Sequence, residues 1–536
     1  MSAPTRKFPR ETVGLPRASS TQDVELSDGD RYTLRIAPVT KRIGDATVRM
    51  LAYNGSIPGP TLRVPEGAEL VVDIENEGDL EATVHWHGLR LENRYDGTHE
   101  TQELIPTGGR YTAHVAFPDP GVYWYHPHVR EDYGQELGLY ANCIVVPADP
   151  DYWPPVHREL ALTLDDVLIE DGQIAAFSPD ETTYAAMGRF GNVLLVAGEP
   201  ELALTAQAGE VVRFYFTNTA NTRVFKVALP GARLKLVGGD SGRVEHERFV
   251  EDVILAPSER VVVDVLFESS GELTLEHRTP DRTYKLADVT VREEEAAPPL
   301  AEGFSTLRTA PELSAERERL MPLVNAPPDK TLAFQAEMDM GEPDGGADEA
   351  LGYVCPMHLE VTSETPDHCP RCGMKLLPAR LVQAAGGGHH EHGTHGHSHA
   401  TADGIEWEDD MVEVNKLTTP ANMRWKLVDR SDDAENHDIR WRFRVGDRVK
   451  IRLVNEMDSD HPMHHPFHIH GAGRFLVLAR DGVVEPNLVW KDTVLVRTGE
   501  TVDIVLDVTN AGRWMAHCHI AEHHESGMMF SFDVTA

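Results

Sequence analysis

Gly67-Ala-Glu-Leu-Val-Val-Asp-Ile-Glu-Asn76 reads as a β-strand entered through a glycine and left through an asparagine. Gly209-Glu-Val-Val-Arg-Phe-Tyr-Phe-Thr-Asn218 and Gly446-Asp-Arg-Val-Lys-Ile-Arg-Leu-Val-Asn455 have the same form, with Gly and Asn at matching positions. The glycine permits the turn into the strand, and the asparagine suits the turn out of it. Three copies of one strand predict three similar β-sandwiches. Val-rich segments alternating with turn residues agree with an all-β chain, and 536 residues are too many for one core. The expected domains span 30–150, 155–295 and 325–536. The third copy follows the second at a much longer interval than the second follows the first, so 345–402 is expected to interrupt the third domain.

The formal net charge of −37 disfavours nucleic acid and favours solubility and attraction of cations. No apolar run is long enough to cross a membrane as a helix. The start, MSAPTRKFPRETVG, lacks the apolar core of a secretory leader. An extracytoplasmic location is expected if a leader has been removed, and a cytoplasmic one otherwise. A monomer with neither membrane nor nucleic-acid partner is expected. The five cysteines make no disulfide framework. Cys143, in an apolar strand, is expected to be a core thiol.

The chemistry is concentrated in His517-Cys518-His519-Ile520-Ala521-Glu522-His523, followed by Met528. Side chains alternate along an extended strand, so His517 and His519 point one way and Cys518 the other. A thiolate, two imidazoles and a weak thioether form the ligand set of an electron-transfer copper. Cys518, His523 and Met528 supply three of these, and His465 completes the set. Three more His-x-His pairs, His85/His87, His126/His128 and His468/His470, join His517/His519. Cys518 is thus a covalent wire between one copper and the site of those eight imidazoles.

The segments HWHG (85–88), HPH (126–128), HPFHIHG (465–471) and HCHIAEHHESGM (517–528) resemble the four copper signatures of the three-domain multicopper oxidases, which include laccases, bilirubin oxidases and bacterial cuprous oxidases. The resemblance implies three cupredoxin-like Greek-key β-sandwiches and four copper ions per chain. It implies a type 1 copper on His465, Cys518 and His523 with Met528 axial. It implies a type 2 copper on His85 and His468, and a type 3 pair on His87, His126, His128, His470, His517 and His519. Four one-electron transfers would then reduce dioxygen to two waters. Asp96 sits where the family places an acid beside the cluster. Some bacterial relatives carry a proton-relaying glutamate just after the second type 1 histidine; here that place holds His524, with Glu525 next.

Laccase-like oxidation of phenolic and aromatic reductants is the expected activity. Oxidation of cuprous ion in copper tolerance is the alternative. Met338 and Met340, then Met457 and Met463 just before His465, are soft donors, but no dense methionine-rich helix is present. A copper nitrite reductase would leave the eight imidazoles unexplained, and a metal-storage protein would leave four catalytic motifs unexplained.

The interruption has its own chemistry. Cys355-Pro-Met-His358 and Cys369-Pro-Arg-Cys372 are two knuckles able to present four ligands to one tetrahedral ion. The module, 353–378, is too small to hold a core without metal. It resembles the heavy-metal-binding domain of some copper-transporting ATPases and efflux components. Its ligands suit zinc or cuprous copper, and the ion either staples the insert or is passed onward. A histidine-rich linker, 386–400, is expected to capture copper or zinc weakly.

Overall fold

The computed structural model describes residues 8–340, 352–385 and 403–536. The histidine-rich tract at 386–400 lies outside them. The three repeated segments form the strands Glu69–Asn76, Glu210–Asn218 and Arg448–Asn455. Each occupies the same place in its sheet. Glu69–Asn76 runs parallel to Arg31–Ile43 on one side and antiparallel to Arg110–Ala116 on the other. Glu210–Asn218 sits likewise between Arg158–Val167 and Arg260–Phe267, and Arg448–Asn455 between Lys330–Met338 and Thr501–Val508. The glycines before them, Gly67, Gly209 and Gly446, have φ of +83°, +77° and +94°, which a side chain would resist.

The asparagines do more than leave a strand. All three are buried, and each side-chain amide donates to two carbonyls from separate segments. Asn76 reaches Leu80 and Ile105. Asn218 reaches Arg223 and Leu255. Asn455 reaches Met463 and Val496. A buried carbonyl without a partner is costly. The asparagine meets that need for two loops at once, at one end of each sandwich.

Every sandwich adds a second, five-stranded sheet. In the first, the edge strand His85–His87 pairs antiparallel with Gly121–His126, placing His85 opposite His126. In the third, His465–Ile469 pairs with Gly512–Cys518, placing His468 opposite His517 and Phe467 opposite Cys518. Cys143 lies fully buried in the first core. The insert is a three-stranded sheet with a short helix, Ala379–Ala384. It emerges from a hairpin, because Lys330–Met338 and Met423–Asp429 are antiparallel neighbours with Met338 opposite Met423. Among the described residues no helix is long and apolar enough to cross a membrane.

The sandwiches are joined through buried charge. Arg260 of the second is fully buried. Its guanidinium donates to Val122 O in the first sandwich (2.9 Å) and grips Asp492 of the third through both terminal nitrogens at 2.7 and 2.5 Å. Lys491 meets Asp240 and Glu259 of the second at 3.1 and 3.2 Å. Breaking a buried pair strands the remaining charge. Arg260→Met is therefore expected to cost about 3–5 kcal/mol. Arg31→Met, which loses an exposed bridge to Asp73, should cost less than about 1 kcal/mol. Denaturant unfolding of the copper-free variants checks this, and equal losses would contradict it.

Candidate metal centres

Two constellations form, one where the first and third sandwiches meet and one within the third, facing the second. The larger gathers the eight His-x-His imidazoles, all buried. His85, His468 and His470 bring ligand nitrogens within 4.8 Å of one another, as do His85, His87 and His126, and His128, His470 and His517. The rings of His87 and His126 lie 4.9 and 5.1 Å from that of His519.

Hydrogen bonds decide which nitrogen each ring presents. The Nδ1–H groups of His85, His126, His468 and His517 donate to the carbonyls of Asp96, Pro127, Asp492 and Cys518 at 2.7–2.9 Å. That of His470 donates to Asp96 Oδ2 at 2.8 Å. Each ring thereby turns Nε2 inward. His87 is reversed: Nε2 meets Asp492 Oδ1 at 3.0 Å and leaves Nδ1 free. The nitrogens left without any partner include His85 Nε2, His87 Nδ1, His126 Nε2, His468 Nε2 and both of His519. Buried polar atoms are ordinarily satisfied, so this convergence of orphaned lone pairs fits metal ions. Burial holds these histidines well below their usual range, His85 at about 4 and His517 at about 3, keeping them neutral as ligands must be.

The smaller constellation joins His465, Cys518 and His523. Cys518 Sγ lies 3.4 Å from His465 Nδ1 and 3.7 Å from His523 Nδ1. His523 Nε2–H donates to Ala186 O, so here Nδ1 faces inward. Met528 is fully buried and tied to the site by backbone bonds to His523 and Cys518. The rings of His517 and His519 belong to the eight-histidine group, whereas Cys518 between them belongs to this one. That is the alternation an extended strand imposes.

Asp96 sits under the larger group. Its Oδ1 lies 3.5 Å from His85 Nδ1 and accepts no hydrogen bond. Burial pushes its carboxyl well above the usual range. The following Gly97 is no ordinary turn residue: φ is +82°, and a Cβ there would sit 1.9 Å from the Val84 carbonyl oxygen. Opposite Asp96, Glu131 Oε1 stands 3.2 Å from His128 Nε2 and 3.6 Å from His524 Nδ1. The Glu131 backbone N–H donates to Glu525 Oε1 at 2.9 Å. Burial raises both carboxyls, Glu525 to about 8.

Sequence reasoning missed Asp492 and Glu131. Asp492 orients His87, receives Thr493 Oγ1–H, binds Arg260 and offers its carbonyl to His468. Its partners come from all three sandwiches, and nothing in Trp-Lys-Asp-Thr marks it. Glu131 belongs to a short helix after His128 and looks like an ordinary first-turn acid.

In the insert, Cys355, His358, Cys369 and Cys372 converge. Cys355 Sγ is 3.6 Å from His358 Nδ1 and 3.7 Å from Cys372 Sγ, and Cys369 Sγ is 3.5 Å from His358 Nδ1. The module is docked on the loop before His465. Lys375 donates its backbone N–H to Asp460 O and its ammonium to Met338 O and Asp460 Oδ2. Met374 and Leu377 join the core of the third sandwich with Met463 and Trp425.

Two separate multicopper oxidase family profiles match, one over residues 36–150 and the other over 408–536, and the heavy metal binding domain profile matches 353–379. Multicopper oxidase MmcO of Mycobacterium tuberculosis is 26% identical over 94% of this chain and 87% of its own. Copper resistance protein A of Escherichia coli is 23% identical over 97% and 94%. The crystal structure of a multi-copper oxidase from Pseudomonas thermotolerans superposes with a TM-score of 0.63, at 24% identity, over 96% of this chain and all of that one. The chain belongs to the multicopper oxidases and carries a heavy-metal-binding domain as an insert. It is an oxidoreductase, and its metal is copper.

Gly97→Ala would push the Asp96 turn off the Val84–His85 backbone. It is expected to lower copper content at the eight-histidine group while the blue absorption of the Cys518 site persists. Metal analysis with optical spectroscopy checks this; full copper loading would contradict it.

Proposed function

We propose that this chain couples one-electron oxidation of phenolic and aromatic reductants, in the manner of a laccase, to four-electron reduction of dioxygen to water. The observation that carries the reading is Cys518, whose thiol joins His465 and His523 while its chain neighbours enter the eight-histidine group. His465, Cys518, His523 and axial Met528 would hold a type 1 copper, and His85 and His468 a type 2 copper. His87, His126, His128, His470, His517 and His519 would hold a type 3 pair. When bound, the four coppers supply stepwise electron uptake and concerted delivery to dioxygen. One chain provides every ligand, so a monomer suffices. Cys355, His358, Cys369 and Cys372 would hold zinc or cuprous copper.

The protein's own groups handle protons and water. Dioxygen reduction consumes protons inside a site whose imidazoles are all buried. Asp96 holds a proton at its unpartnered Oδ1 and steadies His85 and His470. Burial raises its pKa well above the usual carboxylate range, which favours the protonated form, and the proton is lost as pH rises through that raised value. Glu131 and Glu525 form a second proton store beside His128 and His524. Asp96→Asn is expected to lower turnover about 100-fold, to change the alkaline limb of the pH profile, and to leave anaerobic bleaching of the blue absorption at its normal rate. Equal slowing of bleaching and turnover would mean that Asp96 only supports the fold.

A second reading, cuprous ion as reductant, is favoured by how the electron entry is covered. His465 and His523 are 1% and 0% exposed. The Trp425 ring lies 4.1 Å from His523 and 4.8 Å from His465, fixed by Nε1–H donation to Ala185 O. Asn415 and Thr418 bind the 185–188 backbone over the site. A phenol touches neither histidine directly, whereas the metal-binding insert sits on the loop leading to His465. The relative named for copper resistance supports the same reading, and such a role would place the protein outside the cytoplasm.

Steady-state rates on a phenol and on cuprous ion separate the two donors. Met528→Leu removes a weak electron donor, so the potential of the type 1 site should rise with either reductant. A potentiometric titration showing no rise would refute Met528 as the axial ligand.

A further inference from the structure

His523 sits in the short helix Ala521–Glu525, so the placement of that helix sets how its ring stands against Cys518. The residue just before the helix matters as well, because Ile520 N–H donates to Cys518 Sγ at 3.5 Å. Such a bond draws electron density from a thiolate, weakens its hold on cupric ion and raises the potential of the site. The helix belongs to the third sandwich, yet it is held from the second.

The holding stretch, residues 219–222, follows directly on the repeated strand Glu210–Asn218. Ala521 N–H donates to Asn221 O at 3.1 Å, which fixes the first turn of the helix. The Asn221 amide donates to Glu522 Oε1 at 3.2 Å and to Asp132 O at 2.9 Å. Thr222 Oγ1–H donates to Glu522 Oε2 at 3.1 Å. Both oxygens of the buried Glu522 carboxylate are therefore taken by the second sandwich. Asp132 lies in the helix Glu131–Glu136, whose first residue stands beside His128, and Gln135 of that helix donates to Thr219 O at 3.1 Å. One amide thus ties a segment beside the eight-histidine group to the helix that carries His523. The fit leaves no slack: a Cβ on Gly188 would lie 2.1 Å from Thr222 Oγ1 and 2.9 Å from Ile520 Cγ2.

We propose that Asn221 and Thr222 are positioning residues for the Cys518 site. Through Glu522 and Ala521 they set the start of the His523 helix, and with it the Ile520 N–H bond to the sulfur. Without their donors the helix start moves off, the bond to the sulfur lengthens and the potential falls. This rests on the type 1 assignment made above.

The test uses the copper-loaded full chain. Asn221→Leu, close in size but without donors, is expected to lower the potential of the Cys518 site in a redox titration and to shift its electron paramagnetic resonance hyperfine splitting. It should cut kcat on a phenol about 10-fold at unchanged KM. Thr222→Val removes one donor with little change of shape, so it should move the potential the same way by less; it decides the matter if Asn221→Leu fails to fold. Asn142→Leu is the control. It removes a buried hydrogen bond of 2.7 Å from Thr217, elsewhere between the first and second sandwiches, and should lower stability without moving the potential or the splitting. An unchanged or raised potential in the Asn221 and Thr222 variants, or an equal shift in Asn142→Leu, would overturn the proposal while leaving the type 1 assignment intact. A copper-loaded parent without blue absorption would overturn that assignment and the proposal with it.

Discussion

The buried contact between Arg260 and Asp492 holds the metal centres in place. Arg260 belongs to the second sandwich, which contributes none of the expected copper ligands, yet its guanidinium touches the strand leading to His126 and clamps Asp492. Asp492 then sets the ring of His87 from the first sandwich and that of His468 from the third. Two arrays of histidines from different domains must meet within a few ångströms, in an interior where misplacement leaves orphaned polar atoms. A bidentate guanidinium–carboxylate pair is directional as well as strong when fully desolvated. It fixes distance and angle together. Gly88 shows how tight the fit is, since a Cβ there would lie 2.4 Å from Asp492 Oδ2.

Two rules of histidine orientation divide the centres. In the eight-histidine group five rings are held by Nδ1–H donation and turn Nε2 inward. At the Cys518 site the inward atom is Nδ1, and for His523 the outer nitrogen is tied to Ala186. The carbonyls of Pro127 and Cys518 follow their histidines in sequence and that of Asp492 adjoins the residue paired with His468, whereas those of Asp96 and Ala186 come from loops, so strand register and loop placement together set the tautomers.

Much of this was legible in the sequence. The Gly-to-Asn repeat named its strand correctly in all three sandwiches, because a turn glycine and an apolar strand are local signals. The copper motifs were legible because their ligands are close in sequence and of unusual type. What escaped depended on distant partners. Asn76, Asn218 and Asn455 were read as turn formers, whereas their amides span two loops apiece. Asp492 and Glu131 carry no local mark, and their importance comes from groups hundreds of residues away. Which nitrogen each histidine presents depends on carbonyl positions that spacing does not report. That the insert lies against the His465 loop was likewise invisible, since a hairpin insertion can point anywhere.

The hairpin between Lys330–Met338 and Met423–Asp429 has a further consequence. Its connection carries the metal-binding insert and the Asn415 and Thr418 cover, while the groups around the eight-histidine centre come from elsewhere in the chain. In the proposed function, donor recognition and oxygen chemistry would thus be encoded in separable stretches. The paired strands keep an unbroken register from Leu332 opposite Asp429 to Met338 opposite Met423, so the hairpin acts as a socket. Lineages could exchange what is plugged into it, and with it the diet of the enzyme, without disturbing the machinery that disposes of the electrons.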